Sequence, residues 1–277
     1  FNADLSKWDV GRVLTMNSMF YDSTARTTFN SDLSNWDVSR VQDMMHLFVQ
    51  QAGFNADLSK WNVEQVTNMP TMFYGCSAFN SDLSKWSVDR VTSMHAMFKS
   101  TPLLADLAGW NVDRVTDMSW MFLSATSFNS DLSNWNVGSV TSFANTFKAA
   151  ASFNSDLSRW DVGKATSMST MFHTAKAFNS DLSAWNVAQV TNMDYMFHTA
   201  TSFDAELCGY AWLHSTAPVA NTFTGSAGGS ISNTVCSCTV GRYFLNADCH
   251  VCSPGRYESA NGGTASACGQ ECSAGRY

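Results

Sequence analysis

The chain has 277 residues, of which 45% are apolar and 14% are Asp, Glu, Lys or Arg, against about a quarter charged in ordinary soluble domains. This composition excludes an intrinsically disordered chain. A net charge of −7 with no basic cluster excludes a nucleic-acid-binding protein. No apolar run reaches the ~18 residues of a membrane span, so the sequence predicts no transmembrane segment.

A repeat accounts for most of the large apolar residues. The unit FNSDLSxWDVxxVTxMxxMFxxAxx recurs eight times between Phe1 and about Ser202. A ninth copy starts at Phe203 and degenerates after Leu207. Five columns of equivalent positions hold 16 of the 19 Phe, 13 of the 14 Met and eight of the ten Trp. The Trp column is Trp8, Trp36, Trp61, Trp86, Trp110, Trp135, Trp160 and Trp185.

A period of about 25 residues is typical of a solenoid, in which one repeat cannot bury its apolar side chains alone but a stack of repeats can. The segment FNSDLSNW has room for one short strand. The segment VTxMxxMFxxA has apolar residues at helical spacing, and Thr67 and Thr116 are candidate N-caps. We therefore expect a leucine-rich-repeat-like solenoid with one short parallel strand and one short helix or 3₁₀ turn per coil. Residues 1–223 form it, and residues 203–223 are its cap.

The recurring FNxDLSxWDV and VTxMxxMF motifs resemble those of the BspA-like leucine-rich-repeat surface proteins, and the resemblance covers residues 1 to about 202. It implies a non-enzymatic, surface-exposed protein that acts in adhesion or in a coat. It does not identify a ligand.

An acidic column is the clearest polar feature of the repeats. At a spacing of roughly 5 Å, neighbouring carboxylates repel by ~3 kcal/mol, so something must offset the repulsion. Three interpretations stay open: Asx-type turns helped by a nearby Ser, ion pairs with a basic column, or Ca²⁺ bound between coils. The acidic column is Asp4, Asp32, Asp57, Asp82, Asp106, Asp131, Asp156, Asp181 and Glu206, and the basic one is Arg12, Arg40, Arg90, Arg114 and Lys164.

Three further columns carry polar side chains. The Asn column predicts a hydrogen-bonded ladder, and it consists of Asn2, Asn30, Asn55, Asn80, Asn129, Asn154 and Asn179. Columns of Ser and Ala form a lattice of small groups, which either lets backbones approach closely or binds ice or glycan. His173 and His198 share a column with Lys99 and Lys148, which favours an exposed variable position over a metal site. No catalytic set, cofactor motif or phosphate loop stands out, so we expect no enzyme.

The composition changes after Thr224. Residues 224–235 read as a linker, and residues 236–277 carry three CxxGRY motifs without an apolar core. Such a module needs covalent crosslinks, so we expect disulfides, with zinc held by CSC, CHVC and His250 as the rival. The cysteines concerned are Cys236, Cys238, Cys249, Cys252, Cys268 and Cys272. The motifs resemble ephrin-receptor-like and tumour-necrosis-factor-receptor-like extracellular modules.

Two cysteines lie inside the repeats. Cys76 takes a position filled elsewhere by Ala, which predicts a buried small residue. Cys208 replaces a Ser in the ninth repeat and is a candidate to join the cap to the cysteine-rich module. Disulfides predict a secreted or cell-surface location. Because the CxxGRY series reaches Tyr277, we also expect the module to continue beyond the chain end.

Two functions are compatible with these features. The first is an extracellular structural scaffold that associates with copies of itself in a filament, hair or coat, or with other extracellular proteins. The alternative is an adhesin or receptor ectodomain that binds a protein or a glycan through one face of the solenoid.

Overall fold

The computed structural model describes residues 3–24 and 29–234, together with four short strands further along the chain. The elements, in chain order, are β1 (Glu206–Leu207), α1 (Tyr210–Leu213), β2 (Ser230–Ile231), β3 (Arg242–Leu245), β4 (Asp248–Val251), β5 (Arg256–Tyr257) and β6 (Gln270–Glu271). Strands β1 and β2 pair in parallel, whereas β3 with β4 and β5 with β6 pair antiparallel. The repeats before residue 203 therefore contain neither strand nor helix in the described part.

Successive repeats are joined by isolated parallel bridges. Each repeat contributes one residue, and the series is Thr15, Asp43, Asn68, Ser93, Asp117, Ser142, Ser167 and Asn192. The bridging residue precedes the first Met of each repeat, or Phe143 in the sixth, and lies outside the FNSDLSNW segment in which we expected a strand. Only in the ninth repeat does that segment form a strand, β1, among the described residues. The parallel direction is as predicted, but its position and its length of one residue are not.

The segment after each bridge is a run of turns, where we expected a helix or a 3₁₀ turn. In the second repeat, the N–H groups of Met44, His46, Phe48 and Gln50 donate to carbonyl oxygens of the third repeat at 2.7–3.1 Å. An α-helix would direct these N–H groups four residues back within its own repeat. Here alternate N–H groups bind the next repeat, which explains why helical spacing of the apolar residues does not produce a helix.

This backbone requires two left-handed residues in each inner repeat. His46 has φ 59° and Gln50 has φ 63°. We call their equivalents the two left-handed columns. The first continues with Thr71, Ala96, Trp120, Asn145, Thr170 and Tyr195, and the second with Gly75, Ser100, Ser124, Ala149, Thr174, Thr199 and Gly225.

The two Thr residues predicted as N-caps have a different role. The N–H and the hydroxyl of Thr116 both donate to the carbonyl oxygen of Thr92, at 2.9 and 3.2 Å, and Thr67 binds Gln42 in the same way. Each Thr therefore bonds to the preceding repeat and caps no helix.

The apolar columns form one continuous core from Leu5 to Ala217. Equivalent rings of neighbouring repeats stack, with ring centroids 6.4 Å apart for Trp61 and Trp86 and 5.7 Å apart for Phe73 and Phe98. Every Trp of the column from Trp36 onward donates its indole N–H to a Leu carbonyl oxygen of the preceding repeat, at 2.8–3.1 Å. The same side chains therefore fill the core and fix the register between repeats.

The ninth repeat keeps more of the pattern than its sequence indicates. Trp212 is buried and donates to Leu182, as the Trp column does, and the ring of Phe223 stacks on that of Phe197 at 5.4 Å. The insertion of α1 shifts the spacing of these residues, which hides the repeat.

The first half of the predicted linker packs against the ninth repeat. The N–H groups of Gly228 and Gly229 donate to the carbonyl oxygen of Phe203, and β2 pairs with β1. A Cβ on Gly229 would lie 2.5 Å from a ring carbon of Phe203, so only glycine allows this approach. Residues 228–232 of the predicted linker therefore lie against the ninth repeat.

Candidate interaction surfaces

The acidic column consists of Asx turns. In eight repeats the carboxylate accepts the backbone N–H of the residue two positions later at 2.9 Å, as Asp131 does from Ser133. The backbone N–H and the hydroxyl of Ser133 hold the pKa of Asp131 below its usual value, and the same cause acts on Asp32 and Asp156. This geometry confirms the interpretation that the carboxylates are stabilised by local turns.

The other two interpretations of the acidic column have different outcomes. In the described repeats, no side chain of the basic column forms an ion pair with the acidic column. The ion pair found there joins His95 and Asp117, which belong to neither column. Nor do three or more His, Cys, Asp or Glu side chains gather at one point in the described part of the chain. The Ca²⁺ site at the acidic column stays a prediction.

The Asn column forms the predicted ladder. The side-chain oxygen of Asn154 accepts the backbone N–H of Asn179 at 2.8 Å, and Asn129 accepts that of Asn154 at the same distance. The same bond recurs at Asn30, Asn55, Asn80 and Asn179. Each Asn thus satisfies a backbone donor of the next repeat.

The serines that follow this column are not an exposed lattice. Ser81, Ser155 and Ser180 are buried, and each hydroxyl accepts the N–H of a Leu in the preceding repeat at 2.9–3.1 Å. The second Ser column is half-buried in the Asx turns. The small hydroxyls therefore join neighbouring backbones, and the structure does not present them as a flat surface for ice or glycan.

A strip of aromatic and cationic side chains runs along the turn segments. We call it the turn strip. It consists of the first left-handed column and of the column of residues that directly follow the second Phe of each repeat, such as Tyr74 after Phe73. Its members with large or charged side chains include Tyr21, His46, Tyr74, Lys99, Trp120, Leu123, Lys148, His173, Tyr195 and His198. The ammonium group of Lys99 lies 4.5 Å from the ring centroids of both Tyr74 and Trp120.

The two histidines of the turn strip stack on each other. The rings of His173 and His198 have centroids 4.9 Å apart and an interplanar angle of 12°, and the ring of Tyr195 packs edge-on against His198. Burial, Lys148 and His198 lower the pKa of His173. Both rings are half-buried and form part of the stacked surface.

A cluster of Ser, His and Asp bridges the fourth and fifth repeats. The hydroxyl of Ser119 donates to Oδ1 of Asp117 at 2.6 Å and lies 2.7 Å from Nδ1 of His95. The arrangement acts as a hydrogen-bonded contact between repeats.

The first repeat presents an apolar face. Trp8 is 51% exposed, whereas every later Trp of its column is at most 4% exposed, and Leu14, Met19 and Tyr21 are exposed as well. Trp8, Met19 and Tyr21 line a cavity of about 480 Å³. This face is the largest group of exposed apolar side chains in the described repeats.

The structure describes the side chains of two cysteines, Cys76 and Cys208. Cys76 is fully buried, its Sγ lies 3.0 Å from the carbonyl oxygen of Phe48, and burial raises the pKa of its thiol, which confirms the predicted buried small residue. Cys208 takes part in a disulfide. Of the six cysteines predicted to crosslink the C-terminal module, Cys249 lies in β4 without a described side chain. The other five lie outside the described residues.

Sequence reasoning missed two features of each repeat. The first is a second row of Asx turns at the DV and NV motifs, as in Asn136 with Gly138 and Asp161 with Gly163. Its signal was present, because Asp or Asn recurs two residues before a turn. The second is the pair of left-handed columns, for which only Gly75 and Gly225 gave a signal.

One family model matches the repeats. It is described as Mycoplasma protein of unknown function, DUF285, and it matches residues 1–105 and 100–210. The chain belongs to this family. The two DUF285 matches cover the same residues as the stacked Trp and Phe columns. No curated protein matches the chain, and no solved structure does. Among the described residues, no helix of this DUF285 protein is long and apolar enough to cross a membrane.

Proposed function

We propose that this protein is a non-enzymatic extracellular scaffold, a leucine-rich-repeat-like solenoid of the BspA-like kind that associates with copies of itself. The observation that carries the proposal is the continuous core, in which Trp, Phe and Asn link every repeat to the next. Such a stack holds its polar columns at a fixed spacing over many repeats. A scaffold requires this regularity, and it requires no reaction centre.

The apolar face of the first repeat supports self-association. Single exposed apolar residues are ordinary on soluble proteins, but a group such as Trp8, Met19 and Tyr21, which line one cavity, is typical of an interaction site. Burying these side chains against a second copy removes apolar surface from water and stabilises the assembly. We infer that this face takes part in the contacts of a filament, hair or coat.

The extracellular location rests on the cysteines. The CxxGRY motifs of residues 236–277 are typical of disulfide-rich modules similar to the ephrin-receptor-like ones, and Cys208 is already oxidised in a disulfide. Reduction is expected to unfold this module while the repeats stay folded. A module that survives reduction and unfolds in a chelator would support zinc in place of disulfides.

Sedimentation velocity over a concentration series tests the self-association. We expect oligomers that grow with concentration, and we expect Met19→Lys to shift the protein to monomers because it places a charge on the apolar face. The matched control is Leu104→Lys, since Leu104 is 65% exposed on a different part of the surface. A chain that stays monomeric at every concentration, or that is affected equally by both variants, contradicts the proposal.

An adhesin or receptor ectodomain is the second candidate, and the exposed aromatic residues of the turn strip favour it. Trp120 and Tyr195 project from positions that small or polar residues fill in most other repeats. Such local variation on a regular surface is what a binding face shows.

A further inference from the structure

The aromatic and cationic residues of the turn strip form a local cluster in the third to fifth repeats. Lys99 is placed between Tyr74 and Trp120, 4.5 Å from each ring centroid. A cation over an aromatic face is attracted by the ring quadrupole, so the two rings hold the ammonium group in position. The cluster therefore presents a positioned cation flanked by aromatic rings.

Trp120 occupies an unfavourable backbone conformation. Its φ is 65°, and a bulky side chain in the left-handed region is an outlier that costs of order 1–3 kcal/mol. Tyr195 has φ 57° in the same column. Trp120 remains 36% exposed and Tyr195 41% exposed, so neither ring recovers this cost by entering the core. The repeat backbone imposes this conformation at every equivalent position, so Trp120 and Tyr195 differ from most repeats in placing a large exposed ring where a small or polar residue is usual.

The turn strip differs in charge from the rest of the protein. Its two columns contain Lys99, Lys148 and seven His or aromatic residues but no Asp or Glu, although acidic residues outnumber Lys and Arg 23 to 16 in the whole chain. The first left-handed column, which Ser18 of the first repeat begins, reads Ser18, His46, Thr71, Ala96, Trp120, Asn145, Thr170 and Tyr195. The other column of the turn strip, which follows the second Phe of each repeat, reads Tyr21, Val49, Tyr74, Lys99, Leu123, Lys148, His173 and His198. This charge complements an anionic ligand.

The spacing of the cations favours a ligand with sparse charges. Neighbouring members of the strip are about one coil apart, as the 4.9 Å between the His173 and His198 rings shows. Lys99 and Lys148 are two coils apart, roughly 10 Å at the usual spacing of adjacent strands. A pyranose residue of an extended polysaccharide advances by nearly the length of one coil. A polysaccharide with a carboxylate on alternate sugars therefore matches the two lysines better than a nucleic acid, which carries a charge on every residue.

From these observations we infer that the turn strip is a binding site for an acidic, uronate-containing polysaccharide. Trp120 and Tyr74 contact sugar rings, Lys99 and Lys148 pair with carboxylates, and Tyr195 with His198 extends the site. This goes beyond the scaffold function and does not depend on self-association. A scaffold with this site would bind the polysaccharides that surround it.

Titration of the full chain with hyaluronan oligosaccharides, which carry a carboxylate on every second sugar, tests the inference. Binding is measured by calorimetry at a concentration where sedimentation shows one species, so that a failure of self-association does not affect the result. We expect binding to hyaluronan, none to a neutral dextran, and a loss of about tenfold in affinity for Trp120→Ala, the scale of one aromatic stacking contact. Lys99→Ala is expected to lose a similar factor.

Matched variants separate binding from folding. Trp120→Phe keeps an aromatic ring and is expected to bind within about twofold of the wild type, and Lys164→Ala removes an exposed lysine outside the turn strip without effect on affinity. Melting temperatures establish that each variant is folded. No binding of hyaluronan by the wild type, undiminished binding by both Trp120→Ala and Lys99→Ala, or tighter binding of single-stranded DNA would overturn the inference.

Discussion

The indole N–H of Trp135 donates to the carbonyl oxygen of Leu107 at 3.1 Å, across the boundary between two repeats. Both groups are buried, so neither has water as an alternative partner. The contact shows why Trp recurs in the chain's own repeats: the ring fills the core, and its single donor gives the Leu107 carbonyl a second hydrogen bond beside the one from the backbone N–H of Trp110 at 3.0 Å.

Trp135→Phe is therefore expected to destabilise the repeats. The change removes one of the two hydrogen bonds of the Leu107 carbonyl, which costs about 0.5–1.5 kcal/mol, and it also leaves part of the indole volume empty. The free energy of unfolding in urea, followed by near-ultraviolet circular dichroism, measures the loss. Trp8→Phe is the matched control, because Trp8 is 51% exposed. Equal losses in the two variants would contradict the role of the bond.

The Asn ladder leads to a second prediction. Asn154→Ala removes the acceptor for the N–H of Asn179 and is expected to lower the free energy of unfolding by about 1 kcal/mol. Asn154→Asp keeps an acceptor oxygen and is expected to cost less. Asn134→Ala changes an exposed Asn outside the ladder and serves as the control. If both Ala variants have the stability of the wild type, the ladder does not stabilise the stack.

The acidic column gives the protein a defined pH dependence. Turn hydrogen bonds hold the pKa values of Asp32, Asp131 and Asp156 below the ordinary value of 3.8. A group with a lowered folded-state pKa contributes stability that is present above its unfolded pKa and is lost as the pH falls through its folded pKa. We expect the melting temperature to be level above about pH 5 and to fall progressively below pH 4.

Two comparisons check the origin of this acid sensitivity. Asp131→Asn removes one titrating group but keeps an acceptor, so it is expected to reduce the fall, whereas Asp113→Asn, at an exposed site outside the acidic column, is not. Chelation distinguishes the Ca²⁺ alternative: turns alone predict the same melting temperature in a chelator. A lower melting temperature that added Ca²⁺ restores would instead support a metal at the acidic column.

The second left-handed column offers two substitutions of opposite sign. Gly75 has φ 75°, and an added Cβ would lie 2.7 Å from Oε1 of Gln50, so Gly75→Ala is expected to lower stability by about 1 kcal/mol. Ala149 takes the equivalent position at φ 56°, and Ala149→Gly is expected to relieve its strain. Urea unfolding measures both. If Gly75→Ala is stabilising, the left-handed conformation does not carry the expected cost.

Cys76 provides a direct probe of the core. Burial raises the pKa of its thiol, so the folded protein holds it as an unreactive, protonated group. We expect labelling of Cys76 by a thiol reagent only when the repeats unfold, at a rate that increases with urea. Cys76→Ala, which matches Ala125 in the same column, is expected to cost about 1 kcal/mol for the lost contact with Phe48. Fast labelling of the folded protein would contradict the packing.

The sequence predicted the core well and the backbone poorly. Phe128, Trp135 and Met118 were placed in the interior by their period, and all three are at most 3% exposed. Helical spacing of the Met and Phe residues nevertheless gave no helix, because alternate N–H groups of that segment bind the next repeat. The spacing of apolar residues shows which side chains face the core. It does not identify the backbone conformation, because turns as well as a helix can place residues i, i+3 and i+4 on the same side.

The interaction surfaces were predicted unevenly for related reasons. The Asn ladder and the Asx turns follow from the local chemistry of Asn and Asp, so the sequence was sufficient. One column of the turn strip was predicted as exposed and variable from Lys99 and His173, but the other was not recognised, because Trp120 and Tyr195 occupy left-handed positions that no residue preference marks. Lys99 and the two rings on either side of it come from three different repeats. Tyr74 and Trp120 are 46 positions apart in the sequence, and only the stacking of the repeats brings both rings to Lys99.

Electron microscopy of the full chain at high concentration is the most direct test of the scaffold function. Self-association through a regular stack of repeats predicts filaments or sheets with a constant axial repeat. Dispersed particles of one chain each, under the conditions in which the protein is folded and its disulfides are intact, would contradict it.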